Sequence, residues 1–511
     1  MLIKIAMLLL FFGTMVAIGI YCRKSATDVN GFVLGGRSVG PWLTAFAYGT
    51  SYFSAVVFVG YAGQFGWKFG MASTWIGLGN ALLGSMLAWF VLGRRTRVMT
   101  QHLDSATMPE FFGKRYQSRN LKLVSSVITF VFLVPYTASL YNGLSRLFAM
   151  AFDIDYSLCI LIMAALTGIY VIAGGYMATA ISDFIQGIIM IVGIIAIVSG
   201  ILAVNGGFTQ SVTLLSKIKD SAYEMSGAFT SFLGPDPISL FGVILLTSLG
   251  TWGLPQMVQK FYAIKNEQAI SKGSIISTLF AVVVSGGCYF LGGFGRLFLT
   301  NEQVSSQGFD AIIPTMLETL SPFLIALAVV LVMSASMSTL SSLVMASSST
   351  VTIDFIDTLR KEKISDKRKV LTIRVFVVIF IAISAAIAIF QYKEGLTFIA
   401  QLMSVSWGAL AGSFLAPFLY GLYWKKTTKA ACWVSFGVGT ISMILNIFFK
   451  EYFPTILQSP LNLGAFTMIL GLILVPAVSL ITKKPDSQFV EDAFSCYDKT
   501  VETTQKKALG K

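Results

Sequence analysis

Two stretches of the sequence carry many hydroxyl side chains inside segments that are otherwise apolar. FAYGTSYFSAVVFVG occupies residues 46–60, and VMSASMSTLSSLVMASSSTVT occupies residues 332–352. Polar groups at membrane depth must find polar partners, and a small cation held by several oxygens is one such partner. Close helix packing through small residues is the alternative interpretation. The candidate cation-site residues are Thr50 and Ser51 in the first stretch and the adjacent Ser338 and Thr339 in the second.

A third candidate is the carboxylate of Asp183, in ATAISDFIQG, near the beginning of another apolar segment. An ionisable side chain inside a membrane is costly and usually functional. Because Asp183 lies about two turns from the end of its segment, a solvated helix cap is the alternative interpretation.

The composition is that of a membrane protein. Of 511 residues, 55% are hydrophobic and 12% are charged, whereas soluble domains carry about 25% charged residues. Apolar runs of 18 residues or more recur along the chain, which indicates an all-α polytopic membrane protein. The net charge is +13, but Lys and Arg gather in short loops between apolar runs. That placement is the positive-inside pattern, so we expect no nucleic-acid partner.

About thirteen spans are predicted, and the basic loops alternate between them. Loops with many cations include the one after the seventh span, with Lys260, Lys265 and Lys272. This alternation places the N-terminus outside and the C-terminus in the cytoplasm. The expected location is the plasma membrane of a bacterial cell. The predicted spans cover residues 2–21, 42–65, 73–92, 121–151, 158–172, 178–204, 238–258, 275–299, 323–355, 370–390, 398–424, 430–449 and 463–481.

Two of these spans contain helix-breaking residues at corresponding places. The second span is interrupted around Gly49, where we expect residues 49–51 to be unwound, and the seventh around LGTWGLP, residues 249–255. The two spans begin about 200 residues apart. The seventh comes five places after the second, so the two cross the membrane in opposite directions. Broken helices at matching places in two inverted halves indicate the central site of a transporter. A packing kink is the alternative for either break alone.

Five motifs of the chain resemble those of the sodium:solute symporter family, which includes bacterial proline and pantothenate permeases and the animal sodium–glucose carriers. The resemblance covers nearly the whole chain. It implies a LeuT-type fold of two inverted five-helix repeats. The motifs are LGGRSVGPWLTAFAYGTSYFSA (34–55), ATMPEFFGKRY (106–116), YVIAGGYMATAISDFIQG (170–187), WGLPQMVQKF (252–261) and MSASMSTLSS (333–342).

The expected organisation is a single transmembrane domain over residues 1–484, followed by a cytoplasmic tail, 485–511. Within the domain, an extra N-terminal helix (1–21) precedes the two repeats, and two extra helices follow them. The repeats are 42–204 and 238–424, and the extra C-terminal helices lie in 430–481.

The resemblance also implies a set of site residues. In that family, carbonyl oxygens of the broken helix and hydroxyls of the ninth span hold a sodium ion. It implies that Asp183 lies on the ion's exit path and that Arg37 is part of a cytoplasmic gate. The implied sodium ligands are the carbonyls of Thr50, Phe53 and Ala335 and the hydroxyls of Ser338 and Thr339.

The expected solute pocket combines two arguments. Tyr side chains have an apolar ring and a polar tip, which suits the wall of a half-wet cavity beside the first break. The resemblance adds residues of the fourth and seventh spans. TSYFSA and GLP resemble the pantothenate-type carriers, and Tyr52 stands where the proline carriers have an aspartate. The expected pocket residues are Tyr48, Tyr52, Ser54, Tyr136, Thr251, Trp252 and Gln256.

The predicted function is Na⁺-coupled import of a small organic solute by alternating access. The expected solute bears a carboxylate, such as pantothenate, a monocarboxylate or an amino acid like proline. We expect a carrier that works as a monomer in the bilayer and is not an enzyme. A proton-coupled permease of the same fold is the alternative, and it would need a titratable group at the ion site. A membrane sensor or enzyme is a third class, for which the sequence offers no H-E-x-x-H motif.

Overall fold

The computed structural model describes residues 2–152, 155–219, 227–360, 365–394 and 399–498, and these are almost entirely helical. The predicted tail beyond 498 and the predicted first residue of the eleventh span, Phe398, lie outside the described residues. Several short helices lie in the connections; in chain order the remaining helices are α1 (Leu2–Cys22), α2a (Pro41–Tyr52), α2b (56–69), α3 (74–102), α4 (Arg119–Phe152), α5 (156–174), α6 (176–204), α7a (Pro237–Leu249), α7b (Pro255–Ala263), α8 (Glu267–Gly292), α9 (Pro322–Leu359), α10 (Asp366–Glu394), α11 (Ile399–Tyr423), α12 (Lys429–Phe449), α13 (Pro460–Ile481) and α14 (Ser487–Ser495).

Several membrane helices begin where the sequence supplies a cap. Asp236 accepts a hydrogen bond from the backbone N–H of Ser239, and Pro237 is the first helical residue of α7a. Ser321 and Pro322 begin α9 in the same way. A polar cap satisfies a free N–H, and proline at the first position has no N–H to satisfy.

The number of crossings follows from helix length. Within the described residues, ten helices are long and apolar enough to cross a membrane, and one bent pair, α7a with α7b, makes an eleventh. Val56–His102 and Tyr156–Val204 span 47 and 49 residues, or about 70 Å each, twice the thickness of a bilayer core. Each is interrupted at a glycine of positive φ, Gly70 or Gly175. Counting both as two crossings gives the predicted thirteen.

The two broken helices have the same backbone geometry at their breaks. Phe53, between α2a and α2b, has φ −105° and ψ 119°, and Leu254, between α7a and α7b, has φ −90° and ψ 118°. The pair α7a and α7b is bent by 50°. The break predicted in residues 249–255 is confirmed.

The predicted position of the first break is wrong by about four residues. Residues 49–51 are helical within α2a, and the chain leaves the helix at Phe53 and Ser54. Gly49 instead allows close packing, because a Cβ atom there would lie 2.5 Å from Cδ1 of Phe280 on α8. The glycine is therefore explained by the packing alternative.

The breaks lie at the centre of the bundle. In the most apolar stretches of α11 and α9, 89% and 78% of the residues are buried, against 22% for α1. Helix α2a packs against α7b and α9, and the break of α7 packs against α11. Any polar group freed at a break is therefore surrounded by protein rather than lipid.

Candidate functional site

Five oxygens predicted from the sequence as cation ligands meet where the break of α2 faces α9. The Ser338 hydroxyl lies 3.2 Å from the carbonyl oxygen of Thr50. The Thr339 hydroxyl lies 3.2 Å from the same carbonyl and 3.4 Å from that of Phe53. Both hydroxyls also approach the carbonyl oxygen of Ala335, at 3.1 and 3.0 Å. The structure thus brings together all five groups.

The break explains why the carbonyl of Thr50 is accessible. In a continuous helix it would accept a hydrogen bond from the N–H of Ser54. Because Phe53 is extended, the carbonyl receives instead a bond from the N–H of Phe53 at 3.3 Å and the two hydroxyls from α9.

The donor set suits a hard monovalent cation. Thr50, Ser338 and Thr339 are completely buried, and buried polar groups require partners. A hydroxyl that donates to a carbonyl can rotate its hydrogen away and present a lone pair to a cation. Three carbonyls and two hydroxyls then form a cage of neutral oxygens without a titratable group.

A second polar layer lies one helical turn further along α9. Ser342 and Ser51 share a hydrogen bond of 2.7 Å between their hydroxyls. Lys260 donates from Nζ to Ser342 Oγ at 2.9 Å, and the same Nζ lies 3.8 Å from Oδ2 of Asp183. Asp183 is fully buried within α6. The solvated-cap interpretation of this carboxylate is therefore wrong.

The position of Lys260 differs from the prediction. The seventh span is predicted to end at residue 258, which places Lys260 in a basic loop. The structure continues α7b to Ala263 and buries Lys260, which is 3% exposed. Proline at the first position of α7b was the available signal, since a helix that begins at Pro255 normally continues for more than one turn.

An aromatic cluster flanks the two breaks. The ring of Trp407, on α11, stacks on Tyr52 and meets Tyr136 edge-on, with ring centroids 5.9 Å apart in both pairs. The break of α7 borders the same indole, since a Cβ atom on Gly250 would lie 3.5 Å from it. Trp407 was not predicted, because nothing local distinguishes it from other tryptophans in apolar segments.

The predicted pocket residues, with Trp407 added, fall into two groups. Side chains of the first group donate hydrogen bonds to backbone carbonyls of α3 and α7a; they are Tyr48, Tyr52, Thr251 and Trp252. These bonds hold the helices around the breaks together. The second group is buried and has polar atoms without a hydrogen-bond partner among the described residues. This group consists of the hydroxyls of Ser54 and Tyr136, the indole N–H of Trp407 and both ends of the Gln256 amide.

Buried polar groups normally have a hydrogen-bond partner, and a ligand or an ordered water can supply one. Their types, two hydroxyls, an amide and an indole N–H, offer donors and acceptors to a small polar molecule. Tyr136 and Trp407 are in contact, and Ser54 and Gln256 lie at the two helix breaks. These four side chains are therefore the candidate solute-binding residues.

Arg37 closes one end of the bundle. Its guanidinium donates to the hydroxyl and carbonyl of Thr100, to the carbonyl of Ser105 at 2.6 Å and to the carbonyl of Tyr262. The backbone of Val39 also pairs with Ala263 and Lys265. These contacts join the beginning of α2a to the ends of α3 and α7b.

A cavity of about 820 Å³ lies among residues that include Gln64 and Phe65 of α2b, Ser404 of α11 and Lys450 after α12. Its wall residue Ser404 shares a hydrogen bond of 2.9 Å with Tyr61. The Arg37 contacts therefore lie at the beginning of α2a, and the cavity lies beside α2b.

Two solved structures, both of transporters, have this architecture. The structure of a Na⁺-coupled sialic acid symporter, in a substrate-bound outward-open state, aligns over 95% of this chain and 99% of its own, with a TM-score of 0.73 and 15% identity. The inward-facing conformation of Mhp1 aligns over 89% and 94%, with a TM-score of 0.51 and 12% identity. The predicted LeuT-type fold is confirmed.

Sequence comparison is more specific. The chain is 30% identical over 500 residues to the sodium/proline symporter of Staphylococcus aureus, strains JH9 and JH1, covering 95% of this chain and 94% of each relative. The profile of the sodium:solute symporter family matches residues 32–439, which contain both breaks and the five oxygens. The chain therefore belongs to the sodium:solute symporter family, and it is a multi-pass membrane transporter with sodium as its coupling ion.

Proposed function

We propose that this symporter imports a small carboxylate-bearing solute together with Na⁺ bound by Thr50, Phe53, Ala335, Ser338 and Thr339. The observation that carries the proposal is the convergence of these five oxygens at the break of α2. Uptake into proteoliposomes, with and without an inward Na⁺ gradient, tests it. A gradient of protons alone that drives equal uptake would contradict it.

We further propose the orientation predicted from the loops, in a bacterial plasma membrane, with the Arg37 end in the cytoplasm. The cavity beside α2b is then the outer vestibule. Sodium bridges α2a and α9 while this side is open, solute enters beside Trp407, and the Arg37 contacts open afterwards. The carrier works as a monomer, because both predicted repeats, 42–204 and 238–424, are in one chain.

The solute we propose first is an amino acid such as proline. The sodium/proline symporters of Staphylococcus aureus support this choice through their 30% identity. The unpartnered amide of Gln256 and the hydroxyls of Ser54 and Tyr136 suit a carboxylate and an amine. Competition of radiolabelled proline uptake by pantothenate, monocarboxylates and other amino acids tests the choice. Uptake of pantothenate without proline uptake would overturn it.

The driving force is sufficient for a scavenging importer. One Na⁺ moving through a potential of about 100 mV supplies ~2.3 kcal/mol, and a tenfold concentration gradient adds ~1.4 kcal/mol. Together they support accumulation of a neutral solute by roughly 500-fold.

Arg37→Ala should reduce solute accumulation by about tenfold. The substitution removes four hydrogen bonds that keep the cytoplasmic end closed. Water replaces part of these bonds, and a net loss of about 1.4 kcal/mol from the closed state corresponds to a tenfold change. The measurement is the accumulation ratio in proteoliposomes, with Na⁺-independent efflux from preloaded vesicles as the second readout. Arg37→Lys keeps the charge without the planar fork and should give an intermediate ratio. An unchanged ratio in Arg37→Ala would remove Arg37 from the gate.

Asp183→Asn should slow turnover while the protein still folds. We propose that Asp183 lies on the exit path of the ion, one turn from the five-oxygen site toward the Arg37 end. Net uptake should fall several-fold, whereas exchange of internal for external solute at saturating Na⁺ on both sides should change less. Equal rates for the two proteins at every Na⁺ concentration would leave Asp183 with a structural role only.

A further inference from the structure

The buried ion pair of Lys260 and Asp183 adjoins the five-oxygen site through two shared connections. Ser342 follows Ser338 by one helical turn and donates to its carbonyl oxygen at 3.1 Å. Ser51 follows Thr50 directly and is bonded to Ser342. Ser51 and Ser342 therefore stand one layer from the sodium ligands, on the same two helices.

The surroundings of the Lys260 ammonium are those of a cation site. Nζ lies 2.9 Å from the hydroxyl of Ser342, 3.8 Å from Oδ2 of Asp183, and 5.2 Å from the centre of the Tyr176 ring. These groups come from α9 and α6, while the lysine comes from α7b. A carboxylate, a hydroxyl and an aromatic face are groups that attract any monovalent cation.

The pair is looser than a purely structural salt bridge. A charge-assisted hydrogen bond between an ammonium and a carboxylate is about 2.7–2.9 Å long, whereas this separation is 3.8 Å. Neither oxygen of Asp183 has a hydrogen-bond partner among the described residues. Lys260 thus balances the charge of the carboxylate, while the carboxylate oxygens remain available to coordinate a cation.

We propose that the ammonium of Lys260 occupies a second cation position, between Asp183 and Ser342, and so limits the carrier to one sodium ion per solute. The lysine is a cation tethered to α7b. While it is present, charge repulsion keeps a second Na⁺ out of the layer below the five-oxygen site. This inference rests on the proposed sodium site and adds a determinant of stoichiometry.

Removing only the charge of Lys260 should open the second position to sodium. In Lys260→Gln the buried Asp183 is left without a counter-ion, an unfavourable state that a bound Na⁺ relieves. The Hill coefficient of Na⁺-dependent uptake should rise from about 1 toward 2. Reversal-potential measurements in proteoliposomes should show two positive charges per neutral solute instead of one.

Two control variants isolate the charge. Lys260→Arg keeps a cation and should keep one Na⁺ per solute. The double variant Lys260→Gln with Asp183→Asn removes both charges, so its stoichiometry should return to one. A structural ion pair would lower the stability of these variants without changing the number of ions transported.

If Lys260→Gln folds but does not transport, the number of bound sodium ions can be measured by equilibrium binding of ²²Na⁺ to the detergent-purified protein. Two sodium ions per protein, against one for the unmodified chain, would support the proposal. One ion per protein in the variant, or compensation of Asp183 by a proton, would overturn it. Failure of the sodium site itself would be recognised separately, because the unmodified chain would then bind no Na⁺.

Discussion

Replacing Ser338 and Thr339 together by alanine should raise the Na⁺ concentration for half-maximal uptake by about 100-fold. The double substitution removes two of the five oxygens around the proposed ion and leaves three carbonyls. A lost interaction with a charged group costs about 1.5 kcal/mol or more, which is roughly tenfold for each hydroxyl. Solute uptake as a function of external Na⁺ gives the half-saturation value directly.

The order of affinities among competing solutes should not change in this double variant, because neither hydroxyl belongs to the group of unpartnered residues beside Trp407. Ser336→Ala is the matched control. Ser336 is equally buried on α9, but its hydroxyl donates to Val332 within the same helix, at 2.8 Å. A double variant with the unmodified Na⁺ half-saturation would mean that the cation binds elsewhere.

Gln256→Leu should weaken solute binding by about 30-fold and at the same time raise the melting temperature of the solute-free protein. Both ends of this amide are buried without a partner. Leaving such a group unpaired costs about 1–3 kcal/mol, so an apolar side chain of similar shape is more stable there. The same replacement removes about two hydrogen bonds to the solute, at ~1 kcal/mol each. Uptake kinetics and thermal unfolding in detergent measure the two effects.

Gln259→Leu provides the opposite control on the same helix. The Gln259 amide is buried but donates to the carbonyl of Val33 at 3.2 Å. Its loss should lower the melting temperature and leave the solute affinity unchanged. If Gln256→Leu kept the full solute-induced rise in melting temperature, its amide would face a structural water rather than the transported molecule.

Sequence patterns are most informative where the chemistry of a residue and the local backbone geometry coincide. The adjacent hydroxyls of Ser338 and Thr339 are a local feature of the sequence. The break of α7 is also local, because its own glycines and proline interrupt the helix. The first break lies at Phe53 and Ser54, about four residues beyond the position that Gly49 predicts. That glycine serves contact with Phe280 on another helix, which no local pattern reveals.

The remaining features depend on tertiary packing. Lys260 lies in a stretch whose composition also suits a basic loop. Its ammonium is buried because α7b packs against α6 and α9. Trp407 joins the pocket through contacts with Tyr52 and Tyr136, which lie hundreds of residues away in the chain. Hydropathy predicts that such residues are inside the bundle but not which neighbours they meet.

The position of the break along α2 has a mechanical consequence. Helix α2a runs from Pro41 to Tyr52, twelve residues, so its far end lies about 18 Å from Phe53, whereas Thr50 lies only about 4–5 Å from it. If α2a rotates about Phe53, the helix acts as a lever with unequal arms. Widening the gap between Thr50 and Thr339 by about 1 Å moves Pro41 by roughly 4 Å. A small loosening around the ion would thereby be converted into an opening large enough for a solute.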